Sequence, residues 1–320
     1  MVVKANEYLE NLELVLTSPR KRAPGTLRSY LSTARGFLNW LGEGKIPPTD
    51  KDLRRFFMER EKAGILTNTR SVQFVQLKKL FVANDWRWPF TKDDQPISED
   101  TPTAPAFTEA EVRQLIASRS KFSKAENFYL AISITYGRRC EEMSRINARD
   151  VKDGIITFEI AKQKKAVIKK QLIPETIRPY IDNYKIKRHS PRALNHMFHR
   201  IASKAGLELE HRAGWHSMRR SLFTLLMTNL AASRYPPLWA AEYLAWSKRT
   251  IGLVFMGTAM AGVYTHPEVL ANDPYQVDRV CQREDIHPFL KAYLSTEEQE
   301  AFADAQKDID TELEEDRADS

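Results

Sequence analysis

The strongest constraint on the fold is a break near residue 100. Residues 91–106, TKDDQPISEDTPTAPA, hold three prolines and no periodic apolar pattern. Proline lacks an amide donor and disfavours helix in the residue before it, so this stretch continues neither a helix nor a central strand. It reads as an interdomain linker that divides the 320-residue chain into two parts.

The first part, residues 1–90, reads as a small all-helical domain. In residues 26–41, TLRSYLSTARGFLNWL, Leu27, Tyr30, Leu31, Ala34, Leu38 and Leu41 recur at helical spacing. Pro24 and Gly25 precede the run, and Gly42 and Gly44 follow it, as start and stop signals. Arg28, Ser32, Arg35 and Asn39 fall on the opposite face, which is either solvated or offered to phosphates. A second helix passes through Leu53, Phe56 and Phe57, with Thr49 or Asp50 as its cap. A third, from about residue 68 to 82, is expected to turn Val72, Val75 or Phe74, Leu77 and Phe81 inward. Arg70, Gln73, Lys78 and Lys79 are left polar.

The second part, residues 107–275, is helical with one β insertion. Thr108 and Glu111 match the capping-box pattern at a helix start. Residues 154–160, GIITFEI, and 166–173 are expected to pair as a hairpin around the basic turn Lys162-Gln163-Lys164-Lys165. Helices are expected at 191–205, 217–232 and 236–256, and residues 276–320 read as an acidic tail. The fold class is therefore mainly α: a helical N-terminal domain plus a mostly helical second domain with a small β insertion.

Charge narrows the function. The net charge of +7 divides into +7 over residues 1–90, +9 over 91–275 and −9 over 276–320. A basic body suits a polyanionic partner such as nucleic acid. No apolar run approaches the length of a membrane span, and the N-terminus MVVKANEYLENLEL lacks a signal-peptide pattern, so a cytoplasmic protein without a membrane partner is expected. Cys140 and Cys281 lie too far apart in sequence for a zinc motif and read as reduced thiols. His196 and His199 are three apart but lack matching acidic or cysteine ligands, so no metal site is expected. No Walker-type phosphate loop occurs, and no cofactor is expected.

Four segments of the second part carry a resemblance. Tyr136-Gly137-Arg138-Arg139-Cys140-Glu141-Glu142 contains a Gly-x-Arg-x-x-Glu core, and Trp215-His216-Ser217-Met218-Arg219 contains His-x-x-Arg. Leu244-Ala245-Trp246 and Val263-Tyr264-Thr265-His266-Pro267 follow. Together these resemble, in order, the arginine box, the His-x-x-Arg box, the Leu-Gly-His/Trp box and the Tyr-Thr-His motif of the tyrosine recombinases and phage integrases. The hairpin lies between the first two boxes, where that family places its catalytic lysine. No segment is specific alone; the order of the five elements carries the match, over residues 107–270. The helical N-terminal domain resembles the family's core-binding domain more loosely.

The resemblance implies a DNA strand transferase. Cleaving a phosphodiester without a metal requires fixed positive charge around a phosphorane, and two guanidiniums supply it with bidentate geometry. Arg139 and Arg219 take that role, with His216 beside them as hydrogen-bond donor or acid/base and Trp246 as an indole donor. Lys162 is the expected acid for the departing 5′ oxygen, with Lys164 and Lys165 as alternatives in the turn and Lys169 and Lys170 on the return strand. Tyr264 is the expected nucleophile, forming a 3′-phosphotyrosine; Tyr275 and then Tyr243 are the alternatives. Trp246 and Tyr264 stand 18 positions apart, longer than the family's usual interval. Arg28, Arg35, Arg70 and Gln73 are the candidates for DNA contact, mostly to phosphates. The expected partner is double-stranded DNA, bound by a homotetramer on two sites, with a monomer or dimer in its absence. A type IB topoisomerase, a telomere resolvase or an inactive DNA-binding regulator would use the same fold differently.

Overall fold

A computed structural model describes residues 2–18, 22–42, 45–97, 105–161, 167–247, 250–252 and 273–293. The chain divides into two compact units, Met1–Thr103 and Ala104–Ser320.

The first unit packs α1 (Val2–Thr17), α2 (Pro24–Leu41), α3 (Asp50–Lys62) and α4 (Thr67–Ala83) around one apolar core. Ala34, Phe37, Leu38 and Leu41 of α2 share one buried face, as their spacing dictates. Thr49 caps α3 through a reciprocal capping box with Asp52. Phe37 meets Phe56 edge to face at 5.1 Å, which joins α2 to α3.

The face of α4 differs from the expected one. Val72 and Val75 are exposed, whereas Ser71, Gln73 and Gln76 are buried. Hydrogen bonding explains the rotation. Gln76 accepts from Thr33 Oγ1 at 2.6 Å and donates to Ser29 Oγ at 2.8 Å, both on α2. Gln73 accepts from Arg60 Nε at 3.3 Å. These amides find partners within the helix interfaces, so α4 turns its polar edge inward.

The second unit is built on α6 (Lys124–Tyr136), whose residues from Phe128 to Tyr136 are all buried. A helix apolar on all sides belongs inside, and this one forms the axis of the core. Around it lie α5 (Glu109–Ala117), α7 (Cys140–Met143), α8 (Arg178–Asp182), α9 (Pro191–Ala205), α10 (Trp215–Ala232) and α11 (Leu238–Tyr243). The capping box expected at Thr108 and Glu111 starts α5. The sheet is antiparallel in the order β1 (Val151–Lys152), β2 (Ile155–Ile160), β3 (Val167–Leu172). Its hairpin register runs from Ile155↔Leu172 to Ile160↔Val167. The short β1 adds one strand to the expected hairpin.

Two expectations are corrected here. The helix expected over 236–256 ends at Tyr243. Trp246 donates its amide to Ala241 O and Ala245 donates to Glu242 O, with Ala245 left-handed at φ 53°. That is a Schellman stop built without glycine. The acidic tail expected from residue 276 begins later. Helices α12 (Gln276–Cys281) and α13 (Pro288–Lys291), with the turn between them, bury Val277, Cys281, Ile286, Phe289 and Leu290 in the core of the second unit. The acidic composition hid the apolar residues of this stretch, which join the core. Among the described residues no helix is long and apolar enough to cross a membrane.

Candidate active site

The site starts where α6 ends. Gly137 caps that helix in the left-handed region at φ 56°. A Cβ there would collide with Leu244 Cδ2, so the close approach of Leu244 also demands glycine. The turn sends the next two arginines to different places. Arg138 is fully buried, while the Arg139 side chain keeps 25% of its surface.

Glu142 fixes Arg139. It stands at the third position of α7 and reaches back to the Arg139 amide at 3.0 Å, as the acidic half of a capping box does. The same carboxylate takes the Arg139 guanidinium at 2.7 Å and the amide of Ala161 at 3.2 Å. Burial raises the Glu142 pKa, but Arg138, the Arg139 amide and the Arg139 guanidinium outweigh it and hold the carboxyl below its usual range. Glu142 therefore ties the arginine box to the end of β2. Ala161 is the covalent neighbour of Lys162. Lys162, Lys164 and Lys165 lie outside the described residues, as does Tyr264.

Helix α10 supplies His216 and Arg219 one turn apart. His216 is exposed, and Arg219 is buried with 4% of its surface left. Arg219 donates to Gly137 O and to Leu244 O, each at 2.7 Å. Burial, then the charges of Arg139 and Arg138, push its pKa down to about 9, against an upward pull from Glu142. Three guanidiniums around one buried carboxylate leave a net positive charge, which favours an anion beside them. Trp215 anchors the start of α10 by donating its indole N–H to Leu194 O at 2.9 Å.

Arg139 and His216 line one cleft of about 530 Å³, together with Arg212, His199 and Cys140. Burial pushes the Cys140 thiol up to about 11, which keeps it protonated at neutral pH. Trp246 is half-buried and stacks on Phe223 at 4.5 Å. Its box meets the arginines through the Leu244 carbonyl.

The remaining candidates separate clearly. Tyr243 is buried and donates its hydroxyl to Thr135 O at 2.9 Å, so it is a core residue and not a nucleophile. Lys169 pairs with Glu242 at 2.9 Å, and Lys170 is exposed on β3. In the first unit Arg28 and Arg35 are exposed on α2. Arg70 is turned in, with a 14% exposed side chain paired to Glu61 at 2.9 Å, and Gln73 is buried. The two residues expected on an open polar face of α4 are thus engaged within their own unit.

Sequence reasoning missed Arg138, Gln171 and Asp278. Arg138 donates to Gln171 Oε1 and, at 2.9 Å, to Tyr243 O. Gln171 in turn donates to Asp278 at 3.0 Å. Only the inward register of Gln171 on β3 could have signalled it, since an amide there must find partners. Among the described residues no three His, Cys, Asp or Glu side chains gather as metal ligands.

Solved structures share this fold. A lambda integrase (75-356) dimer bound to a COC' core site matches with a TM-score of 0.59 at 14% identity, over 75% of this chain and 94% of that one. A lambda integrase tetramer bound to a Holliday junction gives 0.57 at 14% identity, over 75% and 73%. The Tn1549 transposon integrase (aa 82-397) in complex with circular intermediate DNA gives 0.54 at 15% identity, over 82% and 99%. No protein-family model matches the sequence, and no curated protein does so at a significant level. These structures are tyrosine recombinases, and the chain has their mainly helical fold with its small antiparallel sheet.

Proposed function

We propose that this chain is a site-specific DNA recombinase that cleaves and rejoins duplex DNA through a 3′-phosphotyrosine. One observation carries the reading: Arg139 and His216 share a cleft, Arg219 is one helical turn from His216, and buried Glu142 holds Arg139. A scissile phosphate is an anion suited to this positive cluster. Fixed donors aimed at the developing charge of a phosphorane stabilise the transition state more than the ground state.

In the proposed reaction Arg139 and Arg219 bind the non-bridging oxygens, and they carry the charge that a metal carries in other phosphoryl transferases. His216 donates to the same phosphate. Tyr264 Oη bonds the phosphorus and releases its proton to solvent, the bond to the 5′ oxygen breaks, and Lys162 protonates that departing oxygen. The phosphotyrosine conserves the bond energy, so attack by a different 5′ hydroxyl rejoins the strand without ATP. Four protomers on two DNA sites would exchange strands, for integration or excision of a mobile element or for dimer resolution. The DNA-bound dimer and tetramer of lambda integrase support this arrangement. The N-terminal unit, through Arg28 and Arg35, would contact phosphates.

A pool of nicked duplexes of randomised sequence tests the reading. A nick next to the cleaved bond releases a short fragment and traps the covalent protein. An adduct that survives denaturation and vanishes in Tyr264→Phe supports the proposal. An adduct that persists in that variant moves the nucleophile to Tyr275, and no adduct from any duplex rejects cleavage.

A further inference from the structure

The arginine cluster has a buried support that begins on the far side of the chain. Arg138 has no exposed surface, and its Nε and Nη1 find no hydrogen-bond partner among the described residues. Its guanidinium lies over the Phe158 ring at 4.6 Å. Among the described residues only Nη2 is hydrogen-bonded, to Gln171 Oε1 and to Tyr243 O. The Gln171 amide is oriented by this contact. Its oxygen faces the arginine, and its nitrogen donates to Asp278 Oδ1 at 3.0 Å and to Tyr243 O at 3.3 Å. Asp278 Oδ2 accepts the Leu172 amide at 3.1 Å. A directed chain thus runs from a buried cation, through one amide, to a buried carboxylate on α12.

The chain ends on the candidate site. Arg138 and Arg219 hold successive carbonyls, those of Tyr243 and Leu244. Arg219 also holds the carbonyl of Gly137, the residue before Arg138. The two stretches of backbone, 137–139 and 243–244, are therefore clasped by two arginines. Gln282, just beyond α12, donates to Leu172 O at 2.9 Å and to the Tyr243 hydroxyl at 3.3 Å. Replacing a buried ion network by apolar side chains of like volume is often neutral or stabilising, so stability alone does not account for the network, and the geometry it imposes is the other contribution it can make.

We infer that Asp278 and Gln171 are positioning residues, which act through Arg138 and the Tyr243–Leu244 carbonyls to set Arg139 and Arg219 for a tetrahedral oxyanion. The inference rests on the phosphate-cleaving function proposed above. It goes further by making α12, after both candidate nucleophiles in the sequence, a determinant of the arginine geometry.

The network can be rebuilt with its charge moved, which gives a sharp test. In Asp278→Asn one amide faces another, and the chain loses an acceptor. The double variant adds Gln171→Glu. Its new carboxylate accepts from Arg138 and from the amide at position 278, and the carbonyl at position 278 still accepts from the Leu172 amide. The 3.3 Å donation of Gln171 to Tyr243 O is given up, and that carbonyl keeps its 2.9 Å bond from Arg138. Inorganic sulfate is titrated into the full chain and followed by the Nε–Hε resonances of Arg139 and Arg219. Asp278→Asn is expected to weaken sulfate binding about 10-fold and to slow adduct formation about 100-fold, with duplex affinity changed less than about 2-fold. The double variant is expected to recover both to within about 3-fold. Wild-type sulfate binding and adduct rate in Asp278→Asn, measured below its melting temperature, would overturn the inference. So would a double variant that folds yet stays as impaired as the single one. A sulfate pattern as expected, in a protein that forms no adduct with any duplex, upholds the positioning and rejects the proposed cleavage.

Discussion

Glu142 holds Arg139 twice, by its guanidinium at 2.7 Å and by its own amide at 3.0 Å. One carboxylate thereby sets both the side chain and the backbone of the residue proposed to bind the phosphate. Glu142→Gln keeps the shape and removes the charge. It is expected to slow adduct formation about 100-fold, because a small displacement of a positioned group costs that much. The stability consequence has a defined pH window. The Glu142 pKa is lowered in the fold, so its contribution is present above the unfolded carboxylate range and is lost as pH falls through the folded value. Melting curves between neutral and acid pH should flatten in Glu142→Gln relative to wild type.

Arg219→Lys is expected to be as damaging as a deletion. A lysine cannot donate to Gly137 O and Leu244 O with the spread of a guanidinium. Adduct formation should fall about 1000-fold, with duplex affinity nearly kept. A lysine variant that cleaves at the wild-type rate would remove Arg219 from the site.

Gly137→Ala should destabilise the second unit by about 3 kcal/mol, from a left-handed backbone and a collision with Leu244. Adding Leu244→Ala should relieve the collision but not the backbone strain. Thermal melts of Gly137→Ala, Leu244→Ala and the double variant separate the two costs, because Leu244→Ala alone gives the cost of the cavity it leaves.

His287 gives the second unit a sensitivity to mild acid. The ring is buried, donates Nε2–H to Thr135 O at 3.1 Å, and burial pushes its pKa from 6.5 down to about 4. Between these values the unfolded chain takes up a proton that the folded ring refuses, so stability falls as pH falls. The full loss is about 3 kcal/mol. His287→Gln should lose that portion of the pH dependence in melts between about pH 7 and 4.

In the first unit, Arg28→Ala and Arg35→Ala should each reduce the salt dependence of duplex binding by about one ion. Arg70→Ala should leave that slope unchanged and cost about 1 kcal/mol of stability instead, because Arg70 is committed to Glu61. A salt titration of binding for the three variants distinguishes these outcomes.

Local signals carried much of the fold. The face of α2, the caps at Thr49 and Thr108 and the hairpin all follow from chemistry that acts within a few residues. The arginine and histidine boxes were picked out by a family resemblance and their order along the chain rather than by local chemistry, and the structure brings Arg139 and His216 to one cleft. What escaped depends on distant partners. The inward face of α4 is set by Thr33 and Ser29, at 43 and 47 positions from Gln76. The stop after Tyr243 has alanine where glycine would have announced it. Nothing local in the sequence marks Arg138 as buried beside Arg139, and only its distant partners Gln171 and Tyr243 reveal it as core.

The burial of α12 and α13 also bears on how the protein is made. Asp278 meets Gln171 across 107 positions of sequence, whereas the first unit completes its core within its own helices and the aromatic residues just after them. A chain emerging from the ribosome can therefore finish its N-terminal unit early. Its arginine cluster has no complete support until α12 is out. Translation order alone thus leaves the arginine cluster without its Asp278 contact until residue 278 has left the ribosome.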